Sequence, residues 1–178
     1  MTGLSREYGD GLYQLAREED IRPQLHDELM EVWELMREQP AFLKLLSSRA
    51  IEREERLSVV DHTFSGRIHP YLLNFMKLMV EKERFDAFEE SVKWFHRCYN
   101  EDYGIVEAEV TSAKPLNQAE FDALKAKLEE ISGKRVAMLC HVDPALIGGM
   151  RVEMDGKRYD NTIQNKLSRL RQSLAKGL

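Results

Sequence analysis

Cysteine is nearly missing from this chain, with Cys98 and Cys140 the only two in 178 residues. That excludes a disulfide scaffold, and the two thiols read as reduced, buried small hydrophobes of a cytosolic compartment. No stretch reaches about 18 uninterrupted apolar residues, so no membrane-spanning helix is expected. The opening Met1-Thr2-Gly3-Leu4-Ser5-Arg6 has neither an apolar signal core nor an Arg-rich, acid-poor transit pattern. A bacterial or mature organellar protein is expected, with any membrane association indirect. Positive charge is not in excess either: 26 basic face 31 acidic side chains, a net of −5. Lys166, Arg169, Arg171 and Lys176 line the last predicted helix, but with no interleaved aromatic patch. No nucleic-acid partner is expected. What the chain does have is 43% hydrophobic residues over a length able to bury roughly two thirds of its unfolded surface.

Its charge is divided unevenly. Residues 1–104 hold 14 basic and 21 acidic groups, a net of −7, whereas 105–178 hold 12 and 10, a net of +2. The change of sign marks two domains, 1–104 and 105–178. The first is rich in Glu, Leu, Met and Arg, and Pro23, Pro40, Gly66, Pro70 and Gly104 cut it into helix-sized pieces. Six helices are predicted, at about 5–19, 22–38, 40–47, 52–65, 69–82 and 84–103. In the last, Phe85, Phe88, Val92, Phe95 and Tyr99 recur at steps of three and four, one face against a core.

After Gly104 the period becomes two. Val106, Ala108 and Val110 alternate with Glu107, Glu109 and Thr111, as in a half-buried strand. Asn117 with Glu120 forms a capping box, and Leu116 and Phe121 occupy the positions of a hydrophobic staple. The helix that follows has the stripe Phe121, Leu124, Leu128 and Ile131, stopped by Gly133. Residues 135–142 are apolar on both faces and read as a central strand. Asp155-Gly156 is a two-residue hairpin turn, and a final helix from about Asn161 carries Ile163, Leu167, Leu170 and Leu174. Ile163, Leu167 and Leu170 are expected to close the sheet. The fold class is therefore mainly α: an N-terminal six-helix bundle followed by a small α+β domain of order strand, helix, strand, hairpin, helix.

Catalytic chemistry finds little purchase. His96 and Cys98 with Cys140 and His141 are the tempting metal set, but the spacing is wrong for structural zinc and the pairs fall in different predicted domains. The histidines read as exposed neighbours. Gly9-Asp10-Gly11 and Gly148-Gly149 follow no strand with a phosphate-loop or dinucleotide pattern. No catalytic residue, metal or cofactor is expected.

The unusual feature is surplus apolar surface on two helices. In the first, Leu4, Tyr8, Leu12 and Leu15 form one stripe and Gly9, Tyr13 and Ala16 another, roughly 100° away. In the fifth, Leu72, Leu73, Phe75, Met76, Leu78, Met79 and Val80 leave only Asn74 and Lys77 polar. One such helix could be the centre of the bundle; two are harder to bury in about 100 residues. Gly9 and Gly11 each cost about 1 kcal/mol in a helix, so a close approach, such as a second backbone over Gly11, is one reading and a local break the other. Methionines beside such a face suit a groove for an amphipathic helix.

Read this far, the chain resembles the δ subunit of F-type ATP synthase, the bacterial counterpart of the mitochondrial oligomycin-sensitivity-conferring protein. The resemblance covers nearly the full length. Its most specific part runs from Val142-Asp143-Pro144-Ala145-Leu146-Ile147-Gly148-Gly149-Met150-Arg151-Val152 to Tyr159-Asp160-Asn161-Thr162-Ile163. Asn161 and Thr162 replace a usual Gly-Ser pair, and Glu83 stands where family members often carry Gly. Thr111 through Leu116, Arg84, and Tyr8 through Ala16 match as well.

The resemblance implies a non-catalytic stator subunit linking the catalytic head to the peripheral stalk in proton-driven ATP synthesis. It would sit peripherally on the cytoplasmic side of a bacterial membrane. An unrelated helical adaptor is the alternative. It implies further that the first and fifth helices receive an N-terminal helix of the ATP synthase α subunit. The expected groove residues are Tyr8, Gly11, Leu12, Leu15, Leu72, Phe75, Met76 and Met79, some of which must face the bundle. Residues 105–178 would meet the b subunits, with Arg169 and Arg171 as basic contacts. Gly148 and Gly149 are expected to form a tight turn and no ligand site.

Overall fold

The computed structural model describes residues 3–163 and 165. Among these are seven α-helices, one 3₁₀ turn and four strands, a mainly α protein with a small α+β C-terminal part. The chain divides into two compact units, Met1–Asn100 and Glu101–Leu178.

In the first unit the helices are α1 (Gly3–Glu18), α2 (Arg22–Glu38), α3 (Pro40–Ser47), α4 (Arg53–Phe64), α5 (Pro70–Glu81) and α6 (Phe88–Tyr103), with a 3₁₀ turn at Phe85–Ala87. Proline opens α2, α3 and α5 within the first two helical positions, where its missing N–H has no intrahelical partner to lose. The α6 stripe is as the periodicity predicts for Phe88, Val92 and Phe95, which are buried, while Phe85 stacks on Phe88 from the 3₁₀ turn with centroids 5.1 Å apart. Tyr99 is only half-buried and stacks on His26 of α2 at 3.9 Å.

Gly9 is the glycine that serves a close approach. A Cβ there would stand 2.5 Å from the Ser91 carbonyl of α6 and 2.9 Å from Trp94 Cβ, whereas a Cβ at Gly11 meets nothing within 4 Å. The backbone expected over Gly11 thus lies over Gly9, and it belongs to the bundle itself. Arg56 of α4, 2% exposed, closes the end of α3: its Nη1 donates to the Leu46 carbonyl and its Nε to that of Ile51, both at 3.2 Å.

The second unit carries β1 (Ile105–Ser112), α7 (Gln118–Ser132), β2 (Arg135–Val142), β3 (Met150–Met154) and β4 (Lys157–Asp160). The sheet order is β2-β1-β3-β4, with β1 parallel to β2 and antiparallel to β3. Alternation in β1 buries Val106, Ala108 and Val110 with Val136, Val152 and Met154 beneath Leu128 of α7. Asn117 accepts from the Glu120 N–H at 2.9 Å and Glu120 returns the bond to the Asn117 N–H at 3.0 Å, the expected capping box. Gly133 stops α7 at φ 66°, and Asp155 and Gly156 turn the hairpin at φ 52° and 71°.

Several expectations are corrected here. The strand 135–142 is an edge strand, not a central one: among the described residues only β1 pairs with it, and Leu139 is 57% and Val142 49% exposed. Cys140 on that strand is exposed instead of buried. Ile131, placed on the α7 core stripe, is 51% exposed, whereas Leu128 on the same stripe is buried. Of the final helix, Leu167, Leu170, Leu174, Lys166, Arg169, Arg171 and Lys176 lie outside the described residues. At the edge of that stretch the Thr162 hydroxyl accepts from the Asn165 N–H at 3.2 Å. Ile163, expected to help close the sheet, is 42% exposed.

Candidate functional site

α1 and α5 enclose an open cleft of about 590 Å³. Tyr8, Gly11, Leu12 and Leu15 form one wall and Tyr71, Asn74, Phe75 and Leu78 the other, with Glu7, Lys77 and Glu81 among the lining residues. The lining follows from helical phase. On α1 positions 8, 11, 12 and 15 share one face, while Tyr13 and Ala16 turn into the core and Gly9 against α6. On α5, Leu72, Met76, Met79 and Val80 are completely buried, and Tyr71, Asn74 and Leu78 face the cleft. Phe75 belongs to both, since it meets Tyr8 edge-on at 6.4 Å and Phe88 of the core at 6.3 Å.

Tyr8, Gly11, Leu12, Leu15 and Phe75 therefore come together as the residue pattern suggested. Leu72, Met76 and Met79 do not line the cleft; they are 0% exposed and hold the bundle. The residues missed were Glu7, Tyr71, Asn74, Lys77, Leu78 and Glu81. The signal for them was present in Asn74 and Lys77, the two polar interruptions of α5, which mark its outward side and with it Tyr71, Leu78 and Glu81 at helical steps.

Charge is arranged unevenly around the cleft. Lys77 is bound by Asp61 of α4, its Nζ donating to both carboxylate oxygens at 2.8 and 2.9 Å. Tyr71 is raised above its ordinary pKa, chiefly by the negative charge of Glu19, with burial and a hydrogen bond to the same carboxylate adding.

The other candidate residues separate. His96 shares a 2.7 Å hydrogen bond with His26 and another of 3.0 Å with Asn100, so it is tied to the bundle rather than standing exposed. Among the described residues no group of three or more His, Cys, Asp or Glu could hold a metal ion. Gly149 sits at φ 84°, and a Cβ there would run into the Asn161 carbonyl; one at Gly148 would stand 2.6 Å from Ile163 Cδ1. At Gly149 the turn lets two backbone segments pass closely. Arg169 and Arg171 lie outside the described residues.

The first unit is thus a helical bundle with an apolar cleft between two of its helices, and a small α+β unit follows it in the chain. The comparisons with known proteins are specific: the "ATP synthase delta (OSCP) subunit" family matches residues 4–174, and the chain belongs to that family. It is 31% identical over 172 residues to "ATP synthase subunit delta" of Geobacillus sp. (strain WCH70), covering 96% of each chain. It is also 31% identical to the subunit of the same name from Beijerinckia indica, covering 96% of this chain and 91% of that one. Among solved structures, a chain of the Toxoplasma gondii mitochondrial ATP synthase hexamer shares the fold with a TM-score of 0.74 over 98% of both chains, at 18% identity. Among the described residues no helix is long and apolar enough to cross a membrane.

Proposed function

We propose that this chain is a non-catalytic stator subunit, holding the catalytic head of an ATP synthase to its peripheral stalk. The α1–α5 cleft receives the N-terminal helix of the α subunit, and residues 105–178 meet the b subunits. Membrane association, on the cytoplasmic side of a bacterial membrane, comes only through the complex. The observation that carries the reading is the cleft itself, apolar along its floor and bounded by two helices whose opposite sides are already packed in the core. A helix laid in it would bury on the order of 800 Å² per partner. Its affinity would rest on a few anchors, because lost freedom on association offsets much of the area term. Family membership supports the reading from a second direction.

Division of labour between residues 1–104 and 105–178 is part of the same proposal. It is supported by two separate buried clusters, one drawn from residues 12–95 and the other from residues 106–154. Co-purification from solubilised membranes tests the whole: the tagged chain is expected to bring down ATP synthase α and b subunits. Recovery without them would remove the stator role.

A further inference from the structure

The α1–α5 cleft is not neutral at both ends, and the difference selects its occupant. α1 and α5 run antiparallel: Tyr8 meets Phe75, and eleven residues on, just past the end of α1, Glu19 meets Tyr71, earlier in α5. Glu7, near the start of α1, and Glu81, the last residue of α5, therefore flank the same end of the cleft. Both are exposed, and neither has a hydrogen bond or ion pair among the described residues. Lys77, the one cation among the lining residues, is offset by its two bonds to Asp61. The middle of the cleft offers Leu12, Leu15, Leu78 and the neutral Asn74. At the far end Glu19 is engaged with Tyr71.

Two unpaired carboxylates thus stand at one mouth of an apolar cleft, close enough to any helix lying between them to act within a Debye length of about 8 Å. Building on the reading that the cleft holds a helix, we infer that it selects amphipathic helices with Lys or Arg on the flanks that pass Glu7 and Glu81. A helix with acidic flanks would meet like charge in the same place and be rejected. Complementarity of this kind sets partner choice and association rate more than it adds affinity.

The test uses the full chain and two designed 20-residue amphipathic peptides that share one leucine face, with Lys at the flanking positions of one and Glu at those of the other. Calorimetry at low salt is expected to show the Lys peptide binding at least about tenfold tighter. That preference should shrink in high salt. It should also collapse in the E7Q/E81Q double variant, whose helicity is checked by circular dichroism. Equal binding of both peptides, or a preference untouched by E7Q/E81Q, would overturn charge selection while leaving the cleft as a helix site. Failure of both peptides to bind would overturn the helix reading of the cleft along with it.

Discussion

Gly9 lies against the carbonyl of Ser91, so that a methyl group at position 9 would stand 2.5 Å from that oxygen. Two residues on, Gly11 opens into the cleft with nothing within 4 Å. Gly9 and Gly11 are thus opposite in role within α1. Gly9→Ala should destabilise the bundle by about 1–3 kcal/mol, the usual cost of overpacking against backbone that cannot move aside. Gly11→Ala should stabilise it by up to about 1 kcal/mol through helix propensity. Urea denaturation of both variants checks the pair; equal effects would mean the α1–α6 contact is looser than the geometry states.

The end of α5 holds a correctable strain. Glu83 sits at φ 53°, with its N–H on the Val80 carbonyl at 3.1 Å and that of Arg84 on the Met79 carbonyl at 2.8 Å, a Schellman motif whose left-handed position suits glycine. Its ion pair with Arg49, 3.4 Å long and exposed on both sides, offers little in return. Glu83→Gly should raise stability by about 0.5–1 kcal/mol, since relief of the left-handed penalty exceeds the added entropy of the unfolded chain. An unchanged or lowered melting temperature would contradict this.

Arg56 holds together the end of α3 and the loop after it through two carbonyls. Arg56→Met keeps most of the volume but leaves the Leu46 and Ile51 oxygens without their donor. A loss of about 2–3 kcal/mol is expected, given about 1–3 for each buried polar group left unmade and partial access of water. Arg56→Lys should recover only part, because one ammonium cannot reproduce the guanidinium fork. Full stability of the methionine variant would show that water already serves these carbonyls.

Asp160, the last residue of β4, binds Thr162 and is held below the ordinary carboxylate pKa. The Thr162 hydroxyl contributes most, at 2.7 Å, then the Thr162 N–H at 3.0 Å; Arg151 and Arg158 add to the shift, and burial opposes it. Arg151 Nε stands 3.6 Å from the carboxylate, an ion pair too long to be a hydrogen bond. A depressed folded value means that the stabilisation is complete above the unfolded value, about 3.9, and is lost as the pH falls through the folded one. Asp160→Asn should therefore lose stability at neutral pH and show a flatter acid limb below about pH 4. Parallel acid limbs in variant and wild type would assign that slope elsewhere.

Most of the fold could be read from the residues because its signals were local. The Asn117–Glu120 box, the stop at Gly133 and the Asp155-Gly156 turn each depend on a few adjacent positions, and each is found where the sequence placed it. The placement of residues 135–142 failed for the opposite reason: a strand's neighbours are set by topology, and apolar faces do not say whether they are covered from within the chain. The cleft was half legible. α5 is apolar on nearly every side, so its composition marked it as doubly engaged without saying which residues faced inward. Leu72, Met76 and Met79 were separable from Tyr71 and Leu78 only by the phase that Asn74 and Lys77 define.

Gly11 offers the most direct test of the cleft, because a side chain there points into it and touches nothing else. Calorimetric titration of the full chain with a peptide of the α subunit N-terminal segment should give one site per chain. Gly11→Asp should weaken that binding by at least about a hundredfold, through bulk and an unpaired charge in an apolar contact, with the far-ultraviolet circular dichroism unchanged. Wild-type affinity in a folded Gly11→Asp variant would contradict the assignment of the α1–α5 cleft as the site of head attachment.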